Sequence, residues 1–151
     1  MGGEPYWYVV DYENDLQGVL DKLRDREFKA GRYNPVIPDL SGHFEKEKYH
    51  KLKPGNKHKT IEDAVEAAQE SGTRSILDIS KIADKPNFCV ASPLDGNSLE
   101  TIFGTGKPTP ETLEENISSV LEGIDRGMCR YFLLYKKDKP VRICFAGYSF
   151  D

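Results

Sequence analysis

Apolar residues recur along this chain with two periods, and the change from one to the other marks out its elements. The first segment, Tyr6-Trp7-Tyr8-Val9-Val10-Asp11-Tyr12, is aromatic and β-branched and apolar at both odd and even positions. That pattern predicts a strand lying inside a sheet, not at its edge. A helical period follows, with Leu16, Val19, Leu20, Leu23 and Phe28 as the inward stripe, Asn14 as the cap and Ala30 near the end. Gly31 is the stop, because glycine enters the left-handed region without a Cβ penalty.

The connection from Arg32 to Lys59 carries no sustained period. Its first part, through Leu40, holds apolar anchors and two prolines, which predicts packing against the body. Its second part, 42–59, is polar and lysine-rich and is interrupted by Pro54-Gly55-Asn56; mobility is the expectation there. A second helix starts at Thr60, with Asp63 three residues on as a capping-box variant, Ile61, Ala64, Val65 and Ala68 inward, and Gly72 at its end.

Ser75–Ile79 and Asn87–Ala91 read as strands, and a short helix over Ser98–Phe103 stops at Gly104. Thr109, Pro110 and Glu111 open a further helix with a stripe of Leu113, Ile117, Val120, Leu121 and Ile124. Two final apolar runs, Cys129–Lys136 and Val141–Phe150, flank Lys137-Asp138-Lys139-Pro140 and form the strongest hairpin signal. The order predicts a single α+β domain: about five strands in a mostly antiparallel or mixed sheet, three to four covering helices, and a C-terminal β-hairpin.

Composition adds bounds. With 151 residues, 38% hydrophobic and 30% charged, the chain suits one core without disulfides or metals. No apolar run approaches the roughly 20 residues of a membrane span, and residues 1–5 lack the basic start and apolar stretch of a secretory signal. Cys89, Cys129 and Cys144 are odd in number and widely spaced, as in a reduced, cytoplasmic protein. The net charge of −4 is uneven. Six lysines against two glutamates give 45–59 a charge of +4, which leaves about −8 for the remainder. An acidic body repels phosphates, so nucleic acid is disfavoured as a partner.

The motifs exclude more than they assign. Gly104-Thr105-Gly106-Lys107 is not a phosphate loop, since Thr101 stands where the motif needs glycine and Pro108 where it needs serine or threonine. His43, His50 and His58 are spaced seven and eight apart among lysines, which fits no metal site, and no cofactor is indicated. There is no G-x-S-x-G elbow, and the cysteines fall in predicted strands, where a buried thiol is the usual state. With a turn centred on Asp138-Lys139, Cys144 would face Leu133. Asp11 and Asp78 interrupt apolar runs and read either as functional acids or as strand-end residues.

The ligand-site candidates are Arg32, Tyr33 and Asn34, with Arg74 as companion. They offer a bidentate cation, an aromatic face and an amide. The same run also reads as turn chemistry, with Asn before Pro, Tyr33 over the core and Arg32 on helix carbonyls. The sequence thus predicts a protein- or ligand-binding module without catalytic machinery. The alternative is an enzyme or sensor for a small anionic ligand at those four residues, with Asp11, Asp78 or Tyr148 near them. Catalytic residues and oligomeric state are not legible.

Overall fold

Helix formation begins where a side chain can satisfy the first orphan amides, and in this chain that side chain is Asp15. The computed structural model describes residues 3–37 and 50–150. The expectation of mobility for 42–59 thus falls partly outside the described residues, as does His43. Strand β1 (Pro5–Asp11) leads to α1 (Leu16–Ala30), whose first turn is capped by Asp15 accepting from the Gly18 amide at 3.0 Å. Asn14, the cap expected from the sequence, accepts instead from the Tyr12 hydroxyl at 2.8 Å. At the far end Gly31 sits at φ 79°. Its amide donates to Phe28 O and that of Arg32 to Glu27 O, which is a Schellman closure.

Next come α2 (Ile61–Ala67), β2 (Lys81–Ile82), β3 (Val90–Pro93), α3 (Gly96–Phe103), α4 (Leu113–Glu122), β4 (Cys129–Lys136) and β5 (Lys139–Tyr148). Thr60 accepts from the Asp63 amide at 3.1 Å, as its sequence position predicts. Ser75–Ile79 is not a strand. Ser75 Oγ accepts from the Leu77 amide and nucleates a 3-10 turn over Ile76–Asp78, so a local cap overrides the β-branched composition. Only Val90 and Ala91 of the second predicted strand are extended in the sheet.

The five strands form one mixed sheet in the order β1-β5-β4-β3-β2. The β1–β5 and β5–β4 pairs are antiparallel, and the β4–β3 and β3–β2 pairs parallel. β1 is therefore an edge strand, against the sequence expectation. It reads as internal because both of its faces are covered. Tyr6 and Tyr8 pack with Ile143, Phe145 and the α1 residues Val19, Leu20 and Leu23, whereas Trp7 packs on the other face with Phe132, Cys144, Leu121 and Ile124. Burial on two faces erases the alternation that would distinguish an edge.

The hairpin turns through Lys137 and Asp138, both left-handed (φ 52° and 63°), in the two-residue loop that matches strand twist. An irregularity after Leu134 returns one residue of register, so Cys144 faces Phe132 and not Leu133. A third cluster, Phe28, Tyr33, Ala64 and Leu77, joins the end of α1 to α2. Among the described residues no helix is long and apolar enough to cross a membrane.

Candidate functional site

Three of the four side chains singled out by sequence, Arg32, Tyr33 and Asn34, directly follow the exit of α1. Arg32 is buried and its guanidinium grips Glu27, with Nε donating to Oε1 at 3.0 Å and a second bond to Oε2; Glu27 is itself fully buried. The same guanidinium donates to the carbonyls of His50 and Leu52, at 3.5 and 3.2 Å. Burial alone would raise the Glu27 carboxyl. The hydrogen bonds and charges of Arg32 and Arg26 overcome it, and the group is held below its ordinary range.

Tyr33 is fully buried, stacks on Phe28, and meets His58 Nδ1 through its hydroxyl at 2.8 Å. Asn34 donates to Ser71 Oγ and to the Gly72 carbonyl, at 3.0 and 3.1 Å, and its amide donates to Thr73 O. It is thereby brought against the segment that leads into Arg74, a half-buried residue at φ 55°. Residues 50–58 thus form a strap across the end of α1, closed by the Gly55 amide donating to Ala30 O. No room exists there for a side chain, since a Cβ on Gly31 would stand 2.2 Å from Gly55 O.

The other candidates separate. Asp11 is exposed and pairs with Arg142 at 3.0 Å, and Tyr148 lies at the opposite end of the β1–β5 ladder. Lys107 of the Gly104–Lys107 turn lies 3.9 Å from Asp138 and over the Tyr135 ring. Among the described residues no group of three or more His, Cys, Asp or Glu is placed to hold a metal.

Asp78 lies elsewhere, at the floor of a cleft of about 780 Å³. One wall is the face of α2 bearing Glu62, Val65 and Glu66, continued by Gln69; these positions are three and four residues apart and so share a side. Phe88, Cys89, Phe150, Leu77, Asp78 and Arg24 complete the lining. The Phe88 and Phe150 rings lie 5.2 Å apart at 45°, and Phe88 is 53% exposed.

Asp78 is only 7% exposed. Oδ1 accepts from the Thr73 amide at 2.9 Å, whereas Oδ2 is buried and has no hydrogen-bond partner among the described residues. That oxygen and the Phe150 ring edge pack side by side. A Cβ on Gly72, whose φ is 75°, would lie 2.9 Å from the first and 3.0 Å from the second. Arg24 donates from Nη2 to Leu77 O at 2.8 Å, and its Nε is likewise buried without a partner.

Burial raises the Asp78 carboxyl despite the opposing bonds from Thr73 and Arg74 and the charge of Arg24. Burial first, and Asp78 second, raise the Cys89 thiol. The Tyr6 phenol is pushed well up by burial and by Cys129, Asp78 and Cys89 around it. Cys129, in the core beneath, is pushed up to about 12 by its burial. These thiols are held protonated, the reverse of what a nucleophilic cysteine needs.

Sequence reasoning flagged Asp78 through its polarity in an apolar run but missed the cleft around it. Phe88, Cys89 and Phe150 carry no local pattern that marks them. Cys89 is not in a strand at all; it precedes β3 in a left-handed conformation, φ 61°. No protein-family model, curated protein or solved structure matches this chain.

Proposed function

We propose that this protein is a small ligand-binding module whose ligand occupies the cleft between α2 and the Phe88–Phe150 pair. The observation that carries the reading is the cleft itself. Its volume of about 780 Å³ falls in the range of small-molecule sites. It also combines apolar side chains, Val65, Leu77, Phe88 and Phe150, with charged ones, Arg24, Glu62, Glu66 and Asp78. The three cysteines form no disulfide, which supports a reducing, cytoplasmic setting.

A fragment library followed by amide chemical shifts tests the reading. Hits should move the resonances of Val65, Leu77, Ser80 and Phe88. Phe88→Ala, at a largely exposed position, should weaken them about tenfold, the equivalent of 1.4 kcal/mol. Hits that map instead to α4 or to the hairpin turn would sink it.

The second reading, an enzyme or sensor of a small anionic ligand at Arg32, Tyr33, Asn34 and Arg74, draws support from the left-handed backbone of Arg74, since strained positions gather at functional sites. Against it, the Arg32 fork already holds the carboxylate of Glu27. Phosphate titration that shifts Arg74 and spares the cleft would favour it.

A further inference from the structure

The charges around the cleft select its ligand. Glu62 and Glu66 stand one helical turn apart on the same face of α2, both exposed. Like charges at this spacing on a helix repel one another. Among the described residues neither is in an ion pair, although the charge of Glu62 acts on Arg24. Asp78 adds a third carboxyl at the floor, 7% exposed and with Oδ2 unpartnered, and Arg24 is the single basic residue of the lining. The lining is therefore negative whether Asp78 is ionised or neutral. The Phe88 and Phe150 rings line the same cleft, and an aromatic face carries the negative side of the ring quadrupole.

Carboxylates and aromatic rings are the two groups that attract an organic cation, the second most strongly where water is displaced. Val65 and Leu77 of the lining offer apolar contact to a hydrocarbon body. An anion would meet three carboxyl groups against one guanidinium, of which Nη2 is bound to Leu77 O.

We propose that the cleft binds a small organic cation, an ammonium group on an apolar stem, with the charge held between Glu62, Glu66 and the Phe88–Phe150 pair. The assignment rests on the cleft being the ligand site. The volume matches a free small molecule, and that is the source to which the proposal commits.

Hexylammonium, hexanol and hexanoate share one stem and differ in charge, so titrating each into isotope-labelled protein separates the two ideas. Hexylammonium should bind in the cleft at least tenfold more tightly than hexanol, and hexanoate more weakly than either. The double variant Glu62→Gln/Glu66→Gln, altered only at exposed positions, should cut hexylammonium affinity about tenfold and leave hexanol unchanged. If hexanol or hexanoate binds in the cleft as well as the amine does, or the double variant binds hexylammonium undiminished, the charge assignment falls and the cleft stands. If all three probes perturb residues outside the cleft, the site itself falls. A lysine-containing peptide that binds there tenfold more tightly than hexylammonium overturns the small-molecule assignment.

Discussion

An ionised carboxyl loses hydration when it is buried, and Asp78 recovers only part of that loss through Oδ1. Its carboxyl titrates above the unfolded value because burial outweighs the Thr73 bond. The neutral form is thus favoured in the fold, and the stability this group contributes is complete below its unfolded pKa and is lost as pH rises through the folded one. Asp78→Asn keeps an oxygen for the Thr73 amide and removes the ionisation. The variant should match the parent in acid and exceed it by about 1 kcal/mol at neutral pH, read from urea unfolding across pH. A parent curve parallel to that of the variant would refute the account. Asp78 was legible as a polar residue inside an apolar run. Its depth was not, because it is set in part by Phe150, remote in sequence.

Elements whose signals are local could be read from sequence. The caps at Thr60 and Gly31, the α4 stripe and the hairpin all rely on residues within a turn or two of one another. The Ser75–Ile79 segment misled for the same reason: one serine cap decides between a strand and a 3-10 turn, and composition votes the other way. The strap over 50–58 needed knowledge of a distant partner. Its anchor is the buried Arg32–Glu27 pair, and removing one member leaves the other charge uncompensated. Glu27→Gln should cost about 3 kcal/mol in chemical unfolding and speed hydrogen exchange at the Gly55 amide, which bonds to Ala30 O. Since the Glu27 carboxyl is held low, its contribution is present above the unfolded carboxyl pKa and fades as pH falls through the folded value. Unchanged exchange at Gly55 in the variant would show the strap to be held by other means.

At the scale of the whole molecule, the composition that disfavoured nucleic acid also anticipates the sign of the cleft, an acidic body with its glutamates on α2. The cleft itself draws on residues from Arg24 to Phe150 and exists only once α1, α2, the 3-10 turn and the approach to β3 have assembled. No window of sequence contains it. By contrast Arg32, Tyr33 and Asn34 were conspicuous because they are contiguous, although each is engaged in a different direction, toward Glu27, His58 and Ser71.

The pairing of β1 with β5 has one consequence for how this chain can be rewritten. The Glu4 amide donates to Ser149 Oγ at 2.8 Å and the Ser149 amide to Glu4 O at 3.0 Å, so positions 145 residues apart in sequence are neighbours in space. In topology the backbone is almost a ring. A short Gly-Ser linker joining those two positions, with the chain reopened in the exposed Gly104–Thr105 turn, should therefore give a circular permutant with the same sheet. Near-identical amide spectra away from the new junctions would verify it, and loss of dispersion across β4 and β5 would show that the fold depends on the order in which its strands are made.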